Sequence, residues 1–356
     1  AAPIAAVLVF ATTGVVDRRD NSDFQDREAR IADFADAGSD LSLAVQVQRV
    51  RGLAADAGAV VDLEESSAVL AGAVDSWLQA AESVKGDITD PDLVTDIDDL
   101  TTSLGDLRAG ADAMSPDTVT AAVALASRRV ALITPQLVDQ SQDLELFRAL
   151  SEHLRISQIQ QAVGEITVQG AAAIESRSIS PVIATPLNSA DADIIAASDQ
   201  FLTTADASYA AMLEQLIADG LLPTAIGDSV RDVEFVIDGG QPVDVALAEW
   251  LATGEEKLVG VNSVSDALLE DAAAAAAAAA TTARTTALNY LILAGSVTAL
   301  ALVMAALVGR SISHPLTRLT RNAEQLAAEE LPALVESMRS GQLVMTTRHP
   351  LHVGDR

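Results

Sequence analysis

Ala287–Val308 reads ALNYLILAGSVTALALVMAALV, an apolar run without a charged residue that stops at Gly309-Arg310. At about 1.5 Å of rise per residue, a helix over this stretch reaches roughly 33 Å, enough to cross a hydrocarbon core of about 30 Å. The run therefore predicts a membrane-spanning helix. Its competitor is a buried helix of a soluble protein, and such helices rarely exceed about 20 residues without a charge. Residues 1–16, AAPIAAVLVFATTGVV, are also uncharged and stop at Asp17-Arg18-Arg19. A helix there reaches only about 24 Å. With neither an initiator Met nor a basic leading region, the segment reads as the outer part of a first transmembrane helix, a signal-peptide remnant being the alternative.

Charge sets the expected orientation. The chain holds 22 Lys+Arg against 51 Asp+Glu, a net charge of −29, and only two lysines. Residues 309–356 carry six arginines against five acids, so the remainder is far more acidic than the tail. Arginines clustered just past a spanning helix place that side in the cytoplasm. Residues 17–286 are then expected outside a cell membrane that the chain crosses more than once. Acidity of this strength disfavours a nucleic-acid partner, whose backbone needs basic contacts.

Several chemistries are excluded by composition. There is no cysteine, hence no disulfide and no thiolate metal site. The four histidines, at 153, 314, 349 and 352, are too scattered for a metal centre, and no cofactor is expected. No paired-carboxylate, Ser/His/Asp or phosphate-loop arrangement has credible spacing, so no catalytic residue is assigned and the chain reads as non-enzymatic.

Between the apolar segments the sequence reads as all-α. Aromatics are 3% of the chain, alternating runs are scarce, and Ala, Leu, Asp and Glu dominate. Asp90-Pro91 and Ser115-Pro116 each offer an N-cap followed by proline at the first helical position, and Thr134-Pro135 does the same or kinks a longer helix. Expected helices are roughly 24–62, 64–86, 91–113, 116–133, 136–173, 189–220, 224–237 and 243–309, eight elements that suit two four-helix bundles. Ser176–Ser189, with two prolines, is the expected connection between them. Val233–Pro242 is either a short β-like run or the end of a short helix. Ala272–Ala280, nine alanines, favours a stiff helix leading to the membrane. Trp77, Trp250, Phe147, Phe201 and Tyr209 are the expected packing anchors.

The most unusual passage is Leu41–Asp56, LSLAVQVQRVRGLAAD, with Gln48-Arg49-Val50-Arg51-Gly52 at its centre. Leu41, Val45, Gln48 and Arg51 follow helical spacing, which puts Gln48 and Arg51 on the face that the apolar residues bury. A mid-helix glycine costs about 1 kcal/mol relative to alanine, so Gly52 implies close backbone approach or space beside the guanidinium. An inward-facing arginine needs an acidic partner or a bound anion.

These residues resemble a known pattern. Val47–Gly52 is similar to the Leu-Gln-x-Glu-Arg-Gly signature that opens the nitrate- and nitrite-sensing (NIT) domain of actinobacterial sensor histidine kinases. The resemblance implies a pair of four-helix bundles with an oxyanion held between them by arginines. By position, Arg51 would contact the anion, with Gln48 and Gly52 as its neighbours. The signature glutamate is Val50 here, and in the second half Ala207–Ala210 stands ahead of Asp219-Gly220 without an arginine; Arg129, Arg148 and Arg155 are the available substitutes.

Beyond the apolar run, Gly309-Arg-Ser-Ile-Ser-His314-Pro315-Leu316-Thr-Arg-Leu319 resembles the start of a HAMP linker. Its helix is expected to break at Pro315, with Leu316, Leu319, Ala323 and Leu326 at heptad-like spacing, and such helices assemble as a parallel coiled coil in a homodimer. Glu330–Val335 continues the likeness, and His352–Arg356 stands where a second HAMP helix would begin. Pro315, Leu316 and Leu319 are thus the candidate relay residues. The expected organisation is a partial first transmembrane helix (1–16), an extracytoplasmic helical sensor (17–286), a second transmembrane helix (287–308) and a partial HAMP linker (309–356). The chain reads as a piece of a receptor histidine kinase, truncated at both ends, that senses a small anion and acts on a response regulator through its kinase region. The alternative is a chemoreceptor-type or other HAMP-linked receptor for a different small ligand or a protein partner.

Overall fold

The computed structural model describes residues 2–56, 58, 63–110, 125, 126, 129, 130, 132–325, 332 and 335. Among them the regular structure is wholly helical. The helices are α1 (Ala2–Asp56), α2 (Leu63–Val84), α3 (Pro91–Gly110), α4 (Leu144–Ser176), α5 (Pro181–Thr204), α6 (Ala207–Ala218), α7 (Asp228–Asp238) and α8 (Val243–Gln325). Residues 132–138 are helical as well. The described residues form two compact units, one of Arg18–Thr286 and the other of Ala1–Asp17 with Ala287–Arg356.

Boundaries follow local chemistry. Helix α3 starts at Pro91 as the sequence suggests, with the Asp90 carboxylate accepting from Asp92 N at 2.9 Å. The Ser115-Pro116 start lies outside the described residues. The expected helix 136–173 instead begins at Leu144, because Asp143 caps it by accepting from Glu145 N and Leu146 N. It ends at Arg177, which adopts φ 48° and sends its N–H back to Ala173 and Ile174.

The expected connector 176–189 is largely helix. Pro181 sits in the first turn of α5, where no N–H is needed, and Pro186 inside the helix forfeits one bond. The connection shrinks to four residues, 177–180, and the break falls instead at Ala205-Asp206, between α5 and α6. Val233–Asp238 belongs to the end of helix α7. Helix α8 also runs through Pro315 to Gln325 rather than breaking there. One proline removes one backbone bond, and the neighbouring turns can retain theirs.

Two hydrophobic clusters fill Arg18–Thr286. The first gathers α1 from Ile31 to Val45, buried faces of α2 and α3, Val130, Ile133, Leu137 and the start of α4. Phe34 and Trp77 anchor it, their ring centroids 5.5 Å apart and both about 1% exposed. The second gathers Val50 and Ala54 of α1, Ile156–Ile174 of α4, and faces of α5, α6, α7 and α8 around the fully buried Phe201. Phe147, expected as an anchor, is 41% exposed. Glycines let α4 and α8 approach closely: a Cβ at Gly170 would strike the Trp250 indole, and one at Gly254 would strike Thr167. Trp250 Nε1 donates to Thr167 O at 2.9 Å across the same contact.

Ion pairs fasten α1 to the loops beside it. Arg30 donates to both Asp87 oxygens at 2.6 and 2.9 Å, and Arg27 donates to Asp87 O and Gln140 O. Glu28, 1% exposed, accepts from Ser141 Oγ at 2.6 Å.

Two substitutions report on this packing by thermal unfolding monitored by circular dichroism. Trp77→Ala empties the largest buried ring of the first cluster and is expected to cost about 3–5 kcal/mol. Gly170→Val drives a branched side chain into the Trp250 ring and is expected to cost roughly 1–3 kcal/mol.

Candidate functional site

Helix α1 turns about 100° per residue, so residues three apart share a face whereas a shift of two carries a side chain to the far side. That geometry divides the passage 45–52. Arg51 faces α8, where its Nε donates to both Glu255 carboxylate oxygens at 3.1 and 3.2 Å and its Nη2 to Oε1 at 2.7 Å. Glu65 of α2 stands 3.7 Å from Nη1. Arg51 is therefore engaged in an internal ion pair. Gln48 donates to Ser67 Oγ at 3.4 Å. Gly52 has open space where a Cβ would stand, so close backbone approach is not its reason.

The neighbouring face, with Gln46 and Arg49, opens on a cleft of about 790 Å³ between α1, α4 and α5. Arg155, Gln158 and Gln161 of α4 and Gln200 of α5 share its wall with them. The Arg155 guanidinium, on α4, makes no side-chain hydrogen bond or ion pair among the described residues. Gln46 is 6% exposed, and its Nε2 is buried without a hydrogen-bond partner. It reaches this position because Gly164 on α4 leaves room, a Cβ there colliding with the Gln46 amide oxygen. The cleft also holds Glu165, occupied by Gln169 Nε2 at 2.8 Å, and the exposed Asp193. Pro186 lies in the same wall. Chemically the cleft presents two guanidinium groups and several amide donors, one of them unsatisfied, a set that suits a small polar acceptor.

The structure thus brings Gln46, Arg49 and Arg155 together, while Gln48, Arg51 and Gly52 lie outside this cleft. Arg155 was among the sequence candidates. Gln46 and Arg49 stand inside the quoted passage but on the face that the apolar pattern did not select. Of the other candidates, Arg129 pairs with Asp99 at 3.6 Å, and Arg148 lies elsewhere on α4. Leu316 and Leu319 are 56% and 65% exposed on α8, in the second unit. Leu326, most of Glu330–Val335, and His352–Arg356 lie outside the described residues.

A buried polar belt crosses the helices beside this cleft. His153 of α4 bonds Ser265 Oγ of α8 at 2.7 Å and Ser157 Oγ at 3.2 Å. Ser265 meets Ser39 of α1 at 3.0 Å, and Gln160 Nε2 donates to Asn262 Oδ1 at 3.1 Å while its Oε1 accepts from Ser42 at 3.3 Å. Asn262 Nδ2 continues to Asp266 at 2.7 Å. Burial pushes His153 down to about 4, so it is neutral near pH 7. Burial, then the Asp40 and Asp36 charges, push Asp266 up to about 6 against the Asn262 bond.

No protein-family model matches the chain, and no curated protein matches it. Among solved structures it resembles the NasR transcription antiterminator, with a TM-score of 0.60 and 17% identity over 92% of this chain and 93% of that one. At this identity the likeness shows a common all-helical fold and nothing about activity.

The belt makes a pH prediction with a definite sign. An imidazole ordinarily titrating near 6.5 but held near 4 in the fold binds fewer protons folded than unfolded. Stability is then lost as pH falls across that window. His153→Gln removes this contribution, so the drop in melting temperature between about pH 6.5 and about pH 4 should be smaller in the variant than in the parent.

Proposed function

We propose that this chain is the receptor portion of a transmembrane signalling protein whose helical region takes up a small oxyanion such as nitrate or nitrite. The observation that carries the ligand class is the convergence of Arg49, Arg155 and the unpartnered Gln46 amide on one polar cleft. Guanidinium forks match planar oxyanions through paired N–H donors, and an amide without an acceptor gains one when the anion arrives. On this reading the anion sits against Arg49 and Arg155, and the Arg51–Glu255 pair ties α1 to α8 beside it. The net charge of −29 opposes a nucleic-acid partner, so the antitermination named for NasR is not carried over.

Membrane placement rests on α8. Among the described residues one helix is long and apolar enough to span a bilayer, with an apolar window of mean hydropathy 2.5 that is 0% buried. Leu291, Ile292, Leu300, Leu302 and Leu307 are all more than half exposed, a cost in water and a gain in lipid. Residues 1–16 are proposed as a second crossing beside it; at Gly14 a Cβ would overlap the Tyr290 ring, so α1 and α8 approach closely at that point. Residues 17–286 then face outward and the arginines after 309 inward. The exposed Leu316 and Leu319 would be covered by a second copy in a HAMP-type coiled coil, Pro315 marking its start. Output would pass to a histidine kinase region and its response regulator.

The test is a thermal-shift titration of the purified full chain with sodium nitrate, against sodium chloride at equal ionic strength. At roughly hundredfold excess over Kd, nitrate is expected to stabilise the fold by about 3 kcal/mol. Arg49→Ala and Arg155→Ala should each remove that gain, and Gln46→Leu should reduce it. A nitrate shift lost only in Arg51→Ala would relocate the site, and no nitrate-specific shift in the parent would refute the anion assignment.

A further inference from the structure

A second cleft, of about 330 Å³, shares no wall residue with the first and has the opposite character. Six of its wall residues are carboxylates, against the single guanidinium of Arg148. Several of those acids are already employed. Glu28 accepts from Arg27 and Ser141, Asp143 caps α4, and Asp271 accepts from the Tyr209 hydroxyl at 2.6 Å. Glu152 is not: it is 5% exposed, and its Oε1 is buried without any hydrogen-bond partner.

A buried carboxylate oxygen left unsatisfied costs free energy that a cationic donor would recover. The cleft also shows which kind of cation fits. Among the described residues no group of three or more His, Cys, Asp or Glu side chains is gathered tightly enough to hold a metal ion. The acids are instead spread around a wall of Leu146, Ala149, Leu268 and the small alanines of α8, which accepts an aliphatic body. The Tyr209 ring lies on the same wall, where an aromatic face attracts an alkylammonium.

We propose that this cleft binds a small organic cation, an aliphatic amine whose ammonium group is received by the Glu152 carboxylate, with Asp206 and Asp271 on the same wall. The proposal stands apart from the oxyanion reading, since the two clefts have no residue in common. It also accounts for Asp206 on the cleft wall, which is exposed and whose carboxylate does not cap α6, although its carbonyl accepts from Ala210 N at 3.0 Å.

Proton linkage follows. Glu152 is pushed up to about 7, by burial first and the Asp206 charge second, with Arg148 opposing. Glu28 of α1 and Asp271 of α8 share the cleft wall, while Tyr209, pushed up to about 12, stays protonated. Since the ammonium group pairs with the ionised carboxylate, each binding event releases protons around neutrality. Affinity should rise from about pH 6 to about pH 8.

The experiment is calorimetric titration of the full chain with putrescine at physiological salt, with butanediol as the neutral analogue and magnesium chloride as a control for the general acidic field. Saturable putrescine binding is expected, absent for butanediol and not abolished by equimolar magnesium. Glu152→Gln should weaken it by roughly tenfold or more and flatten its pH profile, the loss of one charge-assisted contact. Asp206→Asn should weaken it less, and Glu249→Gln, at an exposed acid outside the cleft, should leave it unchanged. No saturable putrescine binding, equal binding by Glu152→Gln, or full displacement by equimolar magnesium would each overturn the proposal. Should Glu152→Gln fail to fold, Asp206→Asn and the parent's pH profile decide. A nitrate-induced shift that survives in Glu152→Gln keeps the two sites separable.

Discussion

Three long helices, α1, α4 and α8, are joined across the interior by a chain of buried hydrogen bonds set among their apolar contacts. Ser39 and Ser42, His153, Ser157 and Gln160, and Asn262 and Ser265 bond one another across the interior. On α4, His153 stands between Leu150 of the first cluster and Ile156 of the second, while Ser39 and Ser42 lie among first-cluster residues of α1 and Asn262 and Ser265 among second-cluster residues of α8. Apolar packing is tolerant of sliding and rotation, whereas a directional chain of donors and acceptors is satisfied in few registers. The belt therefore restricts how the three helices align, and the two clusters add their burial to that alignment. Both clefts inherit their shape from that alignment.

Much of the fold was legible from composition and punctuation. Asp90-Pro91 signals a helix start because an acceptor at the cap and a proline in the first turn both relieve unpaired N–H groups, and α3 begins there. Prolines 181, 186 and 315 misled for the complementary reason. A proline near a helix start costs nothing, and a single interior one costs one bond, so the local pattern read as a connector while the surrounding contacts sustain a helix. The apolar character of Ala287–Val308 needed no tertiary information.

The candidate site was legible only to its neighbourhood. The passage 45–52 drew attention through two arginines, two glutamines and a glycine in mid-helix, yet a helical face is decided by which neighbours pack against it. The apolar pattern Leu41, Val45, Gln48 pointed to Arg51, and Arg51 indeed turns toward another helix, where Glu255 holds it. Whether that guanidinium met an acid or an anion could not follow from spacing, since Glu255 is 204 residues away in sequence. Gln46 enters the cleft because a residue more than a hundred positions later, Gly164, lacks a side chain. Arg148, Glu152 and Arg155 alternate in sign at helical spacing along α4, a pattern that ordinarily marks a solvated surface. Burial of the middle member distinguishes it.

The alanine tract of α8 carries a consequence of its own. Ridges on helices act like gear teeth: a large side chain seated between its neighbours opposes movement along the axis. Ala272, Ala273 and Ala276 meet the first cluster with single methyl groups. Over that length α8 has almost no teeth, and its axial position is set before the tract, by Leu268, Leu269 and the polar belt together with the Arg51–Glu255 pair and the Trp250 indole. A shift of a fraction of a turn would meet its main resistance at those few residues, so occupancy of a cleft beside them has leverage over where the smooth length comes to rest.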